Sequence, residues 1–354
     1  SLGWRISQEG FWQDSKLANF FDDLKIRMSY GLVGDDNVGG YAPFDYMSGY
    51  NYKSGGGVID GQYVLGSAPR GLPVTTLSWI EAKIFDVGID FGFLNNRLTG
   101  QLDYFRRKRD GLPASRYDIL LPTEVGFGLP QENLNSDMTQ GFEMILRWSD
   151  FISDFKYSVG FNMTYARFYD WEQYKPRFSN SWDYYRHSIN KRFGYVNWGL
   201  TADGQFKDWE EIATWPIDND RQGNKTLRPG DVKYKDINGD GIINHLDERP
   251  IGYREGSTPN LNFGFNFNFA WKGFDLGFDL TGGALYSFYQ DWEARHPFHD
   301  GGNNPQYYMS DTWRLKDIWD ADSELIKGKY PTLLTGNSSH SNYWNSTFWK
   351  KNVR

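Results

Sequence analysis

Hydrophobic and polar residues alternate along much of the chain. Leu261, Phe263, Phe265, Phe267 and Phe269 fall on one face of a run whose other face carries Asn262, Gly264, Asn266 and Asn268. After Ala270-Trp271-Lys272-Gly273 the alternation resumes, with Phe274, Leu276, Phe278 and Leu280 against Asp275, Gly277, Asp279 and Thr281. A period of two marks strands with two unlike faces, so this stretch predicts a hairpin. A second hairpin runs through Phe85, Val87, Ile89, Phe91 and Phe93, turns at 94–97, and returns with Leu98, Leu102 and Tyr104. In a third, Phe142, Met144, Leu146 and Trp148 lead through a turn near 149–154 to Phe155, Tyr157, Val159, Phe161, Met163 and Tyr165. Ile26, Met28, Tyr30 and Leu32 form one more strand, and partial strands are expected at Gly3 to Ile6 and Trp349 to Arg354.

Period two alone does not distinguish a sandwich from a membrane barrel, because each has one apolar face per strand. The connections are more telling. Those at 94–97, 149–154 and 270–273 are short, whereas 35–84, 106–141, 166–260 and everything from 281 onward are long. Sorting of short and long connections to opposite ends is the habit of outer-membrane barrels. The second face suits a wet lumen, with Asp86, Asp90, Asp103, Glu143, Arg147, Asp275 and Asp279 beside Gly and Asn. Tyr104, Trp148, Tyr165 and Trp271 lie near strand ends, where an aromatic girdle belongs. The expected fold is all-β: part of a large antiparallel transmembrane β-barrel with long extracellular loops and short periplasmic turns. Both termini stop in or beside strand-like segments, so residues 1–354 are expected to be a portion of a larger barrel.

Composition agrees with many strands and turns. Aromatic residues make up 18% of the chain and glycines number 39, more glycine than the average of about 7%. A net charge of −7 without a basic block argues against a nucleic-acid partner. The absence of cysteine excludes disulfides, thiolate nucleophiles and Cys-ligated metals. No nucleophile elbow, zincin helix or phosphate loop is present, so no enzyme is expected.

One motif carries chemistry: Asp236-Ile237-Asn238-Gly239-Asp240-Gly241-Ile242-Ile243-Asn244-His245-Leu246-Asp247. Oxygen-bearing side chains stand at positions 1, 3, 5, 9 and 12, a glycine at 6, and the Ile242 carbonyl is available at 7, as in a calcium loop. The candidate ligands are Asp236, Asn238, Asp240, Ile242, Asn244 and Asp247, for calcium or, in its place, magnesium; the bland alternative is a solvated Asn-Gly/Asp-Gly turn. Asp247 stands where a bidentate Glu is usual, which points to a structural clip in a long external loop rather than a sensor. His296 and His299 with Asp300 read more simply as solvated loop residues than as a metal clasp. Trp182, Tyr184, Tyr185, Tyr286, Tyr289 and Trp292 are weak substrate-binding candidates, since aromatic rings stack on sugars; packing within the long loops is the readier explanation for most of them.

Taken together, Leu24-Lys25-Ile26-Arg27-Met28-Ser29-Tyr30-Gly31-Leu32-Val33-Gly34, Phe85-Asp86-Val87-Gly88-Ile89-Asp90-Phe91, Asn96-Arg97-Leu98-Thr99-Gly100, Gly141-Phe142-Glu143, Trp271-Lys272-Gly273-Phe274-Asp275-Leu276 and the run from Pro229 to Gly241 resemble SusC/RagA-type TonB-dependent transporters of Bacteroidetes outer membranes. One stretch departs: Ser136-Asp137-Met138-Thr139-Gln140 stands where the family tends to show Gly-x-Met-x-Asn-Lys. The resemblance implies the C-terminal part of a barrel of about 22 strands with a plugged lumen, the plug, TonB-contact segment and last strands lying outside residues 1–354. It further implies outer-membrane lipid as surroundings, energy from the TonB complex, a SusD-like surface lipoprotein as lid, and an oligosaccharide or peptide as cargo. Two other readings of the residues stand beside it. One is a secreted calcium-stabilised β-sandwich that binds glycans; the other is an adhesin-like barrel segment without cargo.

Overall fold

The computed structural model describes residues 1–36, 44, 46–116, 118–193, 196–253, 258–290, 298, 302–303, 306–332 and 346–354. They form two compact units, Ser1–Gly194 with Leu261–Gly282, and Tyr195–Asn260 with Gly283–Arg354.

The first unit is built on an antiparallel sheet of eight strands: β1 (Leu2–Arg5), β2 (Phe21–Asp35), β3 (Ile80–Phe93), β4 (Leu98–Ser115), β5 (Gln131–Ile152), β6 (Phe155–Glu172), β7 (Leu261–Trp271) and β8 (Phe274–Ala284). Each strand pairs with the next in chain order. Because side chains alternate across a strand, the pairing decides whether the apolar sets line up. They do: Ile26, Ile89, Leu102, Met144, Met163 and Phe263 form one continuous cross-strand rung. The next rung, on the other face, is Arg27, Gly88, Asp103, Glu143, Thr164 and Asn262. No second sheet covers the apolar face among the described residues of this unit, and Leu32 (57%), Phe142 (54%) and Leu276 (61%) lie open. A sandwich would bury these side chains, so that alternative fails.

Three tight turns join neighbouring strands at one end. Leu94, Asn95 and Asn96 all adopt left-handed backbone between β3 and β4. Ser153-Asp154 joins β5 to β6, and Lys272-Gly273, with both φ positive, joins β7 to β8. The opposite end differs from the sequence expectation. The segment 106–141 is not one long loop, since β4 continues to Ser115 and β5 begins at Gln131. Hydrophobic alternation ends at Tyr104, but the ladder goes on because charges pair across it. Lys83 and Lys108 reach Asp110 at 3.1 and 2.8 Å, and Arg109 donates to both oxygens of Asp137. The segment 35–84 holds a separate hairpin, Tyr50–Ile59 with Gln62–Pro69. After β6 the chain forms a helix, α1 (Ser181–Phe193), where the Asn180 side chain accepts from Asp183 N at 2.9 Å.

The second unit has its own core of Leu200, Val232, Tyr234, Ile243, Tyr308, Tyr330 and Trp349. Short paired segments surround it: Ala202–Gln205 with Val232–Tyr234, and Arg249–Tyr253 with Val196–Gly199. Lys350–Val353 is the strand expected at the C-terminus, but it pairs with Tyr286–Tyr289 and not with the eight-stranded sheet.

Candidate metal loop and polar face

The calcium-like segment lies in the second unit and is pinned to its core by Ile243, which is fully buried. Ile243 N donates to Asp218 O at 2.9 Å and Asp218 N to Gly241 O at 2.8 Å, fixing where the loop leaves the core. Gly241 has φ +81°, a conformation that costs a residue with a Cβ. Asp236 then closes the turn by accepting from Gly239 N and Gly241 N at 2.7 and 2.8 Å. Asp240 accepts from Ile242 N at 2.9 Å, and this bond, with the Asn238 side chain, holds its carboxyl below the usual range.

Asp247 is fully buried on the single helical turn His245–Asp247. Its carboxylate accepts from Ile237 N (2.9 Å), Asn244 N (2.9 Å) and, more weakly, Asn238 N (3.4 Å). The shorter side chain at position 12 thus ties both ends of the loop together. Asp236, Asp240 and Asp247 each offer an oxygen, and these lie within 4.8 Å of one another. Ligands about 2.3–2.6 Å from one cation are separated by no more than about twice that distance, so the three carboxylates fit such an ion. The amide oxygens of Asn238 and Asn244 accept from Asp240 N and Leu246 N, each keeping a second lone pair.

A neighbouring polar turn was not evident from spacing. Asp220 accepts from Gln222 N, Asn224 N, Thr226 N and the Thr226 hydroxyl at 2.6–2.9 Å. Burial pushes its carboxyl up, but these donors outweigh burial and hold it at about 2. Asn219, also buried, accepts from Tyr234 N and donates to Val232 O. Asp231 lies deep as well, with Arg228 N as a donor at 2.8 Å; burial, with Asp220 adding repulsion, raises its carboxyl to about 6. The signal available in sequence was the Asp-Asn-Asp run 218–220, whose buried use depends on Val232 and Tyr234 beside it.

The aromatic candidates separate. Trp182, Tyr184 and Tyr185 are on α1, with Tyr184 well exposed and Trp182 against Tyr185 at 5.5 Å. Tyr289 packs against the core of the second unit beneath Lys350, whose ammonium stands 4.8 Å from its ring. Tyr286 is half-buried on the same short strand. Trp292, His296, His299 and Asp300 fall outside the described residues.

On the polar face of the first unit, cross-strand neighbours form an ion cluster that sequence spacing did not reveal. Arg27 Nε donates to Asp90 at 2.9 Å and Arg27 Nη2 reaches Asp103 at 3.0 Å, with Lys25 3.9 Å from Asp90. Its members come from β2, β3 and β4, so only the register brings them together. A recess of about 550 Å³ opens beside it, lined by Asp90, Gln101, Arg147, Asn162 and Asn266 together with Phe91, Leu146 and Phe161. One face is thus hydrogen-bonding and charged, the other continuous and apolar.

No family model matches the chain. It is similar to the TonB-dependent receptor SusC of Bacteroides thetaiotaomicron, 27% identical over 82% of this chain and 28% of that protein. It is also similar to the TonB-dependent receptor P39 of Formosa agariphila, 24% identical over 98% of this chain and 34% of the relative. In sequence the chain resembles SusC. It spans about a third of the length of these curated relatives. Among solved structures it resembles the RagAB peptide importer in its open-open state, with a TM-score of 0.64 at 18% identity over 99% of this chain and 34% of that one. The closed-closed state gives 0.60 at 19% identity over the same shares. The eight-stranded SusC-like sheet therefore has the fold of a wall segment in a TonB-dependent transporter barrel. Both relatives are named as TonB-dependent receptors.

Proposed function

We propose that this chain forms part of the wall and outer loops of an outer-membrane nutrient importer of the SusC type. The observation that carries the reading is the rung-by-rung separation of the sheet into an apolar face and a charged one, with short turns at one end only. Such a sheet needs lipid on one side and water or protein on the other. Its cargo is an oligosaccharide or a peptide, its energy comes from the TonB complex, and a SusD-like lipoprotein covers its outer mouth. Support comes from SusC, named as a TonB-dependent receptor, and from RagAB, described as a peptide importer.

In this reading the loop Asp236–Asp247 holds a calcium ion, or magnesium in its place, through Asp236, Asn238, Asp240, Asn244, Asp247 and the Ile242 carbonyl. The ion clips an outer loop and takes no part in transport chemistry. Of the aromatic candidates among the described residues, Tyr184 and Tyr185 are the ones exposed for stacking on cargo, with Trp182 half-buried beside Tyr185. The test is a deletion strain of the parent gene complemented with wild type. Uptake of labelled oligosaccharide and peptide pools is followed while membranes are extracted with and without detergent. Detergent-dependent extraction with a co-purifying lipoprotein and restored uptake of one pool is expected. Recovery of the parent protein in the detergent-free fraction overturns the proposal. Calcium titration of the intact protein, with and without Asp236→Ala plus Asp240→Ala, tests the ion; identical heats remove it.

A further inference from the structure

In the second unit a short hairpin, Arg314–Leu315 paired antiparallel with Leu325–Ile326, stands on a buried base. Thr312, Trp313 and Tyr330 are all buried; Trp313 N donates to Tyr330 O at 3.0 Å, and Tyr330 N to Asp311 O at 2.9 Å. Lys316 closes the neck, donating from N to Glu324 O at 2.9 Å and from Nζ to the Glu324 carboxylate at 3.2 Å. Of the residues beyond it, 317–323, only Ser323 is even half-buried. Ile318 is 72% exposed and Trp319 90%, the most exposed large apolar side chain among the described residues.

The tip has no core of its own, yet hydrogen bonds fix its course. Asp317 N donates to the Ser323 hydroxyl at 2.9 Å, while Asp320 N and Ser323 N donate to the carbonyls of Asp317 and Asp320 at 3.3 and 3.1 Å. The Asp317 and Asp320 carboxylates accept from Trp319 N and Asp322 N, each at 3.0 Å. Two successive Asx turns thus bend the chain with no positive φ in the tip. Trp319 stands between them on backbone that is already ordered, which lowers the entropy cost of burying it against a partner.

A single exposed apolar residue is ordinary, but an indole and an adjacent isoleucine at the summit of a fixed turn form a convex anchor that only a pocket can bury. Charge and shape select the occupant. Residues 317–323 carry three carboxylates and no cation, which opposes insertion among lipid phosphates. A sugar platform needs only an open ring face, and Ile318 adds a branched aliphatic group that offers a sugar no such face. A protein pocket that is apolar inside and basic at its rim suits both: the indole and Ile318 fill it, and Asp317, Asp320 and Asp322 meet the rim. Both segments of this unit, 195–260 and 283–354, follow β6 and β8 at the strand ends opposite the tight turns, the side of long outward loops in such barrels.

We propose that the hairpin 314–326 is a docking finger for the surface lipoprotein that covers the outer mouth: Ile318 and Trp319 enter an apolar pocket of that protein, and the three tip carboxylates face Lys or Arg at the pocket's rim. The finger rests on the importer reading above and names the residues through which the lid is held.

The test is titration of the co-purifying lipoprotein, isolated, onto immobilised full-length parent protein in detergent, followed by interferometry. Trp319→Ala is expected to weaken the complex about thirtyfold or more, chiefly through faster dissociation. Trp319→Phe should recover part of that loss, and Ile318→Ala should weaken the complex severalfold. Asp320→Asn plus Asp322→Asn keeps an acceptor for the amide at 322; it is expected to slow association at low salt and flatten the salt dependence. Trp209→Ala, which removes another well-exposed indole from the same unit, is expected to change nothing. Faster migration of unheated samples on gels reports that each barrel is folded. Equal affinity of Trp319→Ala and wild type overturns the finger. Loss of maltoheptaose binding in Trp319→Ala, with the lipoprotein bound as before, reassigns the indole to a sugar and also overturns it. So does a Trp319→Cys thiol that resists a soluble maleimide in the parent protein alone, since the tip is then covered by its own polypeptide. A parent protein that needs no detergent or has no co-purifying lipoprotein refutes the importer reading itself; a lipoprotein that binds regardless of Ile318 and Trp319 refutes only the finger.

Discussion

Replacing Asp231 by Asn should stabilise its surroundings at neutral pH and do little in acid. The carboxyl is buried beside Asp220, and these two effects raise it from 3.8 to about 6. Between those values the native state keeps a proton that the opened chain releases. Stability therefore falls as pH rises through this window, and the full penalty is present above it. At 1.36 kcal/mol per pH unit the gap corresponds to about 3 kcal/mol as an upper limit. Asn keeps an oxygen to accept from Arg228 N, the bond Asp231 makes at 2.8 Å, and does not titrate. The assay is hydrogen exchange of peptides covering 228–235 in the full-length protein, corrected for the intrinsic pH dependence of exchange. Relative to wild type, protection of the variant should grow by up to about a hundredfold between pH 4 and 7.5. A difference that stays constant across that range refutes the assignment of a buried, protonatable Asp231.

Asp247→Ala leaves the amides of Ile237, Asn238 and Asn244 without their acceptor. It should cost at least about 2 kcal/mol even without calcium, seen as faster exchange over 236–247, whereas exposed Asp240→Ala should change that rate much less in calcium-free buffer. Gly141→Ala would put a Cβ into the backbone oxygen of Tyr165 and 2.8 Å from the Phe105 ring. A loss of about 1–3 kcal/mol is expected, read as a lower temperature at which the folded gel band disappears; an unchanged midpoint contradicts the close approach. Arg27→Met strands Asp90 and Asp103 together on the polar face and should lower the same midpoint, with Asp90→Asn restoring part of the loss.

The strands were legible where apolar residues alternate, which is why the structure turns at 94–97 and, within the expected 270–273, at 272–273. Strand ends were not. From Arg106 to Asp110 every residue is charged, and only the pairing of β4 with β3 and β5 turns that run into a ladder of ion pairs. The same limit hid the Arg27, Asp90 and Asp103 cluster, whose members are 63 and 76 residues apart. Local spacing picked out the candidate metal loop because its candidate ligands come from twelve consecutive residues. It did not reveal that Asp247 is buried, which follows from Ile243 entering a core assembled from distant segments. Nothing in the spacing of 182–185 marks a helix; the run is helical, with the Asn180 side chain accepting from Asp183 N at its start.

Which face of β5 meets lipid is decided by spin-label accessibility. This chain contains no cysteine, so single substitutions at Phe142, Glu143, Met144, Ile145, Leu146 and Arg147 place one label each on alternate faces within it. In full-length protein embedded in outer membranes, labels at 142, 144 and 146 should be relaxed strongly by oxygen and poorly by a water-soluble nickel complex, and those at 143, 145 and 147 should lack that oxygen preference. Accessibility without a period of two, or with its phase reversed, contradicts a barrel wall with its apolar rungs toward lipid.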